Sequence, residues 1–271
     1  MIQYRILETG FFLADGGAMF GAIPKRAWSR KYPSDEQNCC LLAMNCLLVW
    51  NEDRVVLLDT GVGSKDFGKL SYYQFRRLKD IAGLLRSQGF EPAQVTDVVL
   101  SHLHFDHCGG CTYRDSSNRL KVTFPEARHW LGKSQWESYL SPNGLEKDSF
   151  RAQDMLPVAE AGLLRLVDAD FELFEGFELK LFDGHTRGQL VAFIETGVAE
   201  RCLFPGDVIP TKAHLSNEWI SAYDIAPLES LAAKAKLKTF GTGKKEKFIF
   251  YHDAYRTEWE KRMAAIQGEK C

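Results

Sequence analysis

The sequence has no apolar run long enough to cross a lipid bilayer. Its most apolar stretch, residues 39–50, contains Asn45 and falls well short of the roughly 20 residues that a spanning helix needs. The first ten residues lack the charged segment followed by an apolar run that is typical of a signal peptide. We therefore expect a cytoplasmic protein with no membrane partner.

The chain has no large excess of either sign of charge. The 271 residues include 34 Lys and Arg against 36 Asp and Glu, which gives a net charge of -2. A domain that binds nucleic acid usually carries a basic excess or a basic face, so we expect a small-molecule substrate and no nucleic-acid partner. The length suits a single domain over residues 1–271 with a large core, which needs no disulfide support.

Cysteines are few and follow no regular framework. There are seven, an odd number, which favours reduced thiols in a reducing compartment. Cys108 and Cys111 have C-x-x-C spacing, and two interpretations stay open for them. They could have a redox or zinc-binding role, or they could be small buried thiols. The sequence has no second C-x-x-C pair to complete a structural zinc site.

Short apolar runs alternate with helical patterns along the chain. Apolar runs predict strands over residues 4–7, 41–50, 54–58, 95–100, 190–195, 201–204 and 248–251. Periodic patterns predict helices over residues 70–88, 133–140, 228–240 and 254–266. Because several of the runs are continuously apolar, their strands should be covered on both faces. This order of elements indicates a layered α/β fold.

Metal-ligating side chains are concentrated in residues 101–110, directly after an apolar run. His102 and His104 are two residues apart, so in an extended segment both point to the same side. A turn into a helix would carry Asp106 and His107 to a second point nearby. One segment can thus supply ligands to two adjacent metal ions. Imidazole and carboxylate ligands suit Zn²⁺, and Fe, Mn or Co are compatible with the same ligand types.

Four residues do not complete two metal sites, so further ligands are required downstream. His185, Asp207 and His252 each follow a strand-like run or lie at a turn. With them, five of the seven histidines belong to one set, and His129 and His214 are left over. The sequence therefore predicts a centre for two divalent metal ions.

Taken together, these motifs resemble the metallo-β-lactamase superfamily. The resemblance runs in the family's order from Asp59-Thr60-Gly61, through the H-x-H-x-D-H segment, to Gly184-His185-Thr186, Gly206-Asp207 and His252-Asp253. It implies a four-layer αββα sandwich with the site at one edge of two packed sheets.

The resemblance also implies a role for each ligand. It assigns one metal to His102, His104 and His185, and the other to Asp106, His107 and His252. Asp207 becomes the bridging carboxylate. Asp59 lies behind the ligands and orients a histidine, a partner that metal-bound imidazoles usually have.

Two adjacent metals can share a water molecule and lower its pKa towards neutrality. We expect a metal-bridging hydroxide to cleave a lactone or carboxylic ester, with Asp106 and Asp207 as the carboxylates of the catalytic centre. The sequence has no G-x-S-x-G elbow that would indicate a serine nucleophile. Three alternatives stay open: a phosphoester or organophosphate hydrolase, a thioesterase, and a catalytically inactive metal-binding domain.

The H-x-H-x-D-H segment is similar to the branch that contains acyl-homoserine-lactone lactonases and methyl parathion hydrolase. The best-known lactonases of that branch have a Tyr three residues after the bridging Asp, where this sequence has Pro210. His214 and Tyr223 are the candidates to replace that tyrosine at the substrate.

Apolar residues near the N-terminus are candidates for the substrate wall. Met19, Phe20 and Trp28 lie in or near a glycine-rich segment, and apolar side chains beside a few polar groups suit a small acyl or aryl substrate. Core packing, or a contact within a homodimer, is the alternative for the same three residues.

Overall fold

The computed structural model describes residues 1–65, 67–198, 200–240 and 245–255. Its strands are β1 (Gln3–Asp15), β2 (Cys39–Trp50), β3 (Val55–Leu58), β4 (Asp97–Val99), β5 (Thr112–Arg114), β6 (Leu120–Val122), β7 (Arg128–Gly132), β8 (Leu164–Val167), β9 (Phe171–Phe174), β10 (Phe177–Phe182), β11 (Gln189–Gly197), β12 (Glu200–Phe204) and β13 (Lys245–Phe248). Its α-helices are α1 (Gly16–Phe20), α2 (Lys25–Trp28), α3 (Ile81–Ser87), α4 (Phe105–Cys108), α5 (Lys133–Leu140), α6 (Ala152–Glu160) and α7 (Pro227–Thr239).

The strands form two large mixed sheets. The first has the order β1-β2-β3-β4-β7-β8 and is antiparallel as far as β3 and parallel from there on. The second has the order β13-β12-β11-β10-β9 and is antiparallel except for its parallel β12–β13 pair. Strands β5 and β6 form a separate hairpin.

Strand β11 explains how the layers pack. Its Ala192 and Ile194 belong to the large core shared with the first sheet, whereas Val191 and Phe193 join a second apolar cluster that includes Leu237 of α7. Alternate side chains of one strand point to opposite faces, so both faces of this strand are buried. The continuously apolar run predicted this double coverage.

Helices cover the outer faces of both sheets. Helix α7 packs on the second sheet, and α3 and α5 contact β1, β7 and β8 of the first. The result is the four-layer αββα arrangement that the sequence predicts. No helix in the described ranges has both the length and the apolar character that crossing a membrane requires.

The predicted helix over residues 70–88 is confirmed only where α3 lies, over Ile81–Ser87, and is wrong before it. A 3-10 turn, Gly68–Tyr73, is followed by an irregular stretch before α3 begins at Ile81. In that stretch Gln74 and Arg77 have positive φ angles, which a helix cannot contain. The backbone of Arg76 instead exchanges two hydrogen bonds with Phe11 of β1. Pairing with the edge strand therefore overrides the helical periodicity.

The strand predicted over residues 248–251 is displaced towards the N-terminus, since β13 ends at Phe248. From there the chain crosses between the two sheets. The Ile249 amide donates to Leu203 of β12, and the carbonyls of Tyr251 and His252 accept from Asn45 and Ala43 of β2. This crossing fixes the position of His252. The helix predicted over 254–266 lies outside the described residues beyond Tyr255.

Candidate metal centre

The predicted ligands meet at one edge of the two sheets. His102 follows β4, His185 follows β10, Asp207 follows β12, and His252 follows β13 within a few residues. His104 has extended backbone angles and directly precedes α4, so the chain turns there and Asp106 and His107 lie on the helix. The strand-then-helix geometry expected from the H-x-H-x-D-H spacing is therefore present.

The first group consists of His102, His104 and His185. All three side chains are buried, and their ligand nitrogens lie within 4.8 Å of one another. The Nε2 atom of His185 is 3.2 Å from Nδ1 of His104. The Nε2 atom of His102 is buried without a hydrogen-bond partner among the described residues. A buried nitrogen left free in this position fits an ion-binding role.

The second group consists of Asp106, His107 and His252, again with ligand atoms within 4.8 Å of one another. Nε2 of His252 lies 3.3 Å from Nε2 of His107 and 3.5 Å from Oδ2 of Asp106. Two imidazole nitrogens and a carboxylate oxygen thus converge on one point. This donor set suits a divalent ion such as Zn²⁺.

Asp207 lies between the two groups. Its Oδ2 atom is 3.3 Å from Nε2 of His185, in the first group, and 3.2 Å from Nε2 of His252, in the second. Its Oδ1 atom is 3.6 Å from Nε2 of His107. One carboxylate therefore reaches both groups, which is the position that a bridging ligand requires.

The electrostatics of the site are those of a cation-binding centre. Burial lowers the pKa of His102, and so does the charge of neighbouring His107; burial likewise lowers the pKa of His104. Both rings are therefore kept neutral, as metal ligation requires. Burial also opposes protonation of His107, but the carboxylates of Asp207, Asp106 and Asp59 outweigh it and raise its pKa. The carboxylates thus attract positive charge to the centre of the site.

Asp59 orients His107 from behind. Its Oδ2 atom is 2.8 Å from Nδ1 of His107, and its two oxygens accept from the Ser101 backbone amide and hydroxyl, both at 2.7 Å. Asp59 is fully buried and has φ of 56°, a left-handed conformation that Asp tolerates better than most residues. The unusual backbone directs the carboxylate at the ligand segment.

His185 and His252 have partners that the sequence did not single out. Oδ1 of Asp224 lies 2.9 Å from Nδ1 of His185, and the Ala43 carbonyl oxygen lies 2.9 Å from Nδ1 of His252. Asp224 is 39 residues from His185 in sequence and belongs to no motif. A lone Asp in a turn gives no signal by itself, so only the folded chain identifies it.

A buried ion pair supports the backbone behind the second group. The Lys65 ammonium lies 3.1 Å from Oδ1 of Asp154, and both side chains are fully buried. The same ammonium donates to the carbonyls of Gly109 and Thr112, just after the segment that carries Asp106 and His107. The sequence does not predict this pair either, because its two residues come from segments that are distant in the chain and contain no motif.

A pocket opens directly onto the ligands. It exposes His104, Asp106, His185, Asp207 and His252 at its floor. Its walls are mostly apolar or aromatic, and none of the described lining residues is Lys or Arg. The wall residues are Phe12, Ala14, Met19, Leu42, Tyr73, Phe105, Leu145, Glu146, Ser149, Pro210, Ser221 and Tyr223.

The five predicted substrate residues divide into two sets. Met19 and Tyr223 line the pocket, whereas Phe20, Trp28 and His214 are buried behind it. Phe20 stacks on Trp28 at 4.9 Å and on His214 at 4.7 Å between ring centroids.

Both ring nitrogens of His214 are engaged, Nδ1 with the Thr211 hydroxyl and Nε2 with the Met19 carbonyl. Burial lowers the pKa of His214 to about 4. His214 therefore has no free atom for a substrate, and Phe20 and Trp28 support the wall without forming its surface.

Cys108 and Cys111 are buried free thiols. The Cys108 thiol donates to the Leu103 carbonyl at 3.4 Å, and Cys111 lies 3.6 Å from the Thr60 hydroxyl. Neither belongs to a group of candidate metal ligands within the described part of the chain. The geometry favours the interpretation as small buried thiols.

Comparisons with known proteins agree with this geometry. Residues 42–252 match the family model described as the metallo-beta-lactamase superfamily. An N-acyl homoserine lactonase from Bacillus thuringiensis is 24% identical over 219 residues, which cover 77% of this chain and 80% of that protein.

Solved structures show the same fold. A probable metal-dependent hydrolase from Staphylococcus aureus superposes with a TM-score of 0.85 at 27% identity, covering 93% of this chain and 89% of that one. The dizinc quorum-quenching lactonase AidC, in complex with a homoserine product, superposes with a TM-score of 0.74 at 22% identity, covering 94% and 88%.

Proposed function

Since the chain belongs to the metallo-β-lactamase superfamily, we propose that it is a dinuclear metal-dependent hydrolase that cleaves a lactone or carboxylic ester. The observation that carries the proposal is the position of Asp207, whose Oδ2 atom lies 3.3 Å and 3.2 Å from the ligand nitrogens of His185 and His252. A carboxylate that lies between two groups of candidate ligands has the position of a ligand that two ions share.

The residues fit two divalent ions, most simply Zn²⁺. His102, His104 and His185 would hold one, and Asp106, His107 and His252 the other, with Asp207 between them. When bound, such ions supply a hydroxide nucleophile at neutral pH and a Lewis acid for a carbonyl oxygen. Asp59 and Asp224 keep the rings of His107 and His185 in the orientation that ligation needs.

The pocket favours an uncharged substrate. A phosphodiester carries a permanent negative charge, and sites that bind one usually provide Arg or Lys. The described lining contains neither, and it adds the Glu146 carboxyl. Apolar walls that include Met19 and Leu145 suit an acyl chain or an aryl group.

Tyr223 is our candidate to assist at the substrate carbonyl. Tyr223 lines the same pocket as the ligands and Pro210, and burial raises its pKa to about 12. Its hydroxyl is therefore protonated at neutral pH and able to donate to a carbonyl oxygen. His214, the other candidate, has no free nitrogen.

Metal analysis tests the dinuclear site. Protein purified without a chelator should contain about two ions per chain. Removing the metal with a chelator should abolish hydrolysis, and adding Zn²⁺ back should restore it. One ion or none per chain in active protein would contradict the dinuclear proposal.

A substrate panel tests the reaction class. One preparation with one metal is assayed on a γ-lactone, an aryl ester, a thioester, a phosphotriester and bis-p-nitrophenyl phosphate. We expect the highest kcat/KM on a lactone or a carboxylic ester. A faster reaction with a thioester or phosphotriester would select one of those alternatives. If the phosphodiester is fastest, the argument from pocket charge is wrong. Two bound ions without turnover on any compound would indicate an inactive metal-binding domain.

A further inference from the structure

Tyr251 lies directly before the candidate ligand His252 and is fully buried. Its backbone carbonyl accepts a hydrogen bond from the Asn45 amide of β2 at 3.0 Å, where the chain crosses between the two sheets. Its side chain is not among the residues that line the metal pocket. Any influence of this side chain on the site must therefore pass through the ligands themselves.

The ring of Tyr251 stacks on the imidazole of His107. The two ring centroids are 3.9 Å apart and the planes meet at 26°, and a stacked aromatic pair stabilises beyond the apolar area that it buries. Asp59 contacts Nδ1 at the edge of the same imidazole and resists its rotation, whereas the Tyr251 ring resists tilting of the imidazole out of its plane. Together the two contacts fix the direction of Nε2, the nitrogen that faces the other ligands of the second group.

The hydroxyl of Tyr251 holds the backbone of Asp106. It donates to the Asp106 carbonyl at 2.5 Å. Helix α4, which carries Asp106, has only four residues, and so short a helix is not stable by itself. The Gly110 amide, which a longer helix would direct at this carbonyl, donates to Gly61 instead. The Tyr251 hydroxyl therefore supplies the partner that the end of the helix lacks.

Tyr251 is thus linked to all three candidate ligands of the second group, through its ring, its hydroxyl and the peptide bond to the next residue. It makes no hydrogen bond or ring contact with the first group, whose three members all lie in the described part of the chain. Asp207, by contrast, reaches both groups. A change at Tyr251 should therefore act on one group only.

We propose that Tyr251 is a positioning residue that sets how tightly the second metal ion is held, independently of the first. The proposal rests on the dinuclear hydrolase function given above and deepens it, because it makes one of the two ions depend on a single side chain that touches neither substrate nor metal. Metal ligation requires donor atoms at closely defined distances, so loosening α4 and the His107 ring should weaken the second ion.

Zinc binding tests this role directly. Purified holoprotein is equilibrated in buffers of decreasing free Zn²⁺, and elemental analysis counts the ions that remain per chain. Tyr251→Phe keeps the stack and removes only the hydroxyl, whereas Tyr251→Leu removes both contacts. We expect one ion to be released at a free Zn²⁺ concentration roughly 10-fold above that of wild type in the Phe variant and roughly 100-fold above it in the Leu variant. The other ion should be released as in wild type, and equal weakening of both ions would overturn the proposal.

Tyr139→Phe is the matched control. Tyr139 is also buried, and its hydroxyl donates to a backbone carbonyl, that of Arg151, at 2.8 Å. The control therefore loses the same atom from the same kind of bond, but from a segment that carries no candidate ligand. It should bind both ions as wild type does, and circular dichroism should show that both Phe variants are folded. If Tyr251→Phe releases its ions at the same free Zn²⁺ as Tyr139→Phe, the proposal is overturned.

Double variants identify which ion is weakened. Asp224→Asn changes the partner of His185 in the first group, and Asp59→Asn changes the partner of His107 in the second. Added to Asp224→Asn, Tyr251→Phe should leave no ion held as tightly as in wild type. Added to Asp59→Asn, it should leave one. The reverse pattern would place the effect on the first ion and overturn the proposal.

No substrate enters these measurements, so their outcome is separate from the hydrolase function. Selective release of the second ion supports the role of Tyr251 even if no lactone or ester is hydrolysed. Unchanged zinc binding in both Tyr251 variants overturns it, even if wild-type protein hydrolyses lactones rapidly.

Discussion

The floor of the pocket and the part of its wall that contains Leu145 and Tyr223 are built in different ways. At and directly beneath the floor, His185, His252 and His107 each have an outer partner at 2.8–2.9 Å, and every candidate ligand is less than 9% exposed. In the wall, Leu145 is 73% exposed and Tyr223 is 38% exposed, and both lie in connections between elements. Side chains behind the floor hold its histidines in place, whereas this part of the wall depends on loops.

From this difference we expect the floor to determine the class of reaction and the wall to determine which substrates are bound. The floor is tied to strand ends and to buried carboxylates, so its geometry follows from the fold and tolerates little change. Loops tolerate substitution more readily and carry binding residues on a rigid scaffold. We therefore expect floor variants to lose metal and turnover on all substrates, and wall variants to change the ranking of substrates.

The largest effect should follow from Asp207→Ala. Removing the carboxylate between the two groups leaves ions of like charge without their shared ligand, so kcat/KM should fall by at least ~1,000-fold, beyond the 10- to 100-fold typical of outer partners. Circular dichroism and thermal unfolding should show a folded protein, and Asp53→Ala, in an exposed turn, should behave like wild type. Near-normal turnover in Asp207→Ala would mean that this residue is not the bridge.

The two metal groups can be weakened one at a time. Asp224→Asn replaces the charged acceptor behind His185 with a neutral amide, and Asp59→Asn does the same behind His107. Each variant should therefore lower metal affinity by roughly 10- to 100-fold at its own site only. Asn tolerates the left-handed backbone at residue 59. Metal titration followed by elemental analysis should show one strongly and one weakly held ion in either variant. Equal weakening of both ions would contradict the assignment of separate groups.

A smaller effect is expected at the wall from Tyr223→Phe. Loss of one hydroxyl that donates to the reacting carbonyl should lower kcat on a lactone by about 3- to 10-fold, the range for a single neutral hydrogen bond, with two ions still bound. Tyr72→Phe is the control, because Tyr72 is 68% exposed and does not line the pocket. An unchanged kcat in Tyr223→Phe would mean that the Tyr223 hydroxyl does not assist at the substrate carbonyl, and that the metal centre alone polarises it.

The same contrast explains what the sequence could predict. The ligand segment is predictable because His102, His104, Asp106 and His107 are adjacent in the chain, and their spacing fixes which way they point. Asp224 was missed because its role comes from a contact made across 39 residues. Residues 70–88 were wrongly predicted as one helix because pairing of Arg76 with an edge strand is a tertiary interaction that local periodicity does not contain.

For the apolar residues near the N-terminus the sequence left the pocket wall and core packing both open, for a related reason. Met19, Phe20 and Trp28 are close in sequence and all apolar, so composition alone assigns them to one surface. In the structure Phe20 is stacked between Trp28 and His214, and only Met19 reaches the pocket. Which apolar side chain forms a wall and which supports it depends on packing partners from distant segments.

The smallest effect should come from Cys108→Ala, which lies directly beside a candidate ligand in sequence. The Cys108 thiol donates to the Leu103 carbonyl and belongs to no group of candidate metal ligands in the described part of the chain, so we expect it to have no role as a zinc ligand. The variant should retain two ions per chain and a kcat/KM within about two-fold of wild type, with a loss of roughly 1 kcal/mol in unfolding free energy from the small cavity. Loss of one ion per chain would show instead that a thiolate completes the second group. Cys108 would then count among the metal ligands and not among the buried residues that support them.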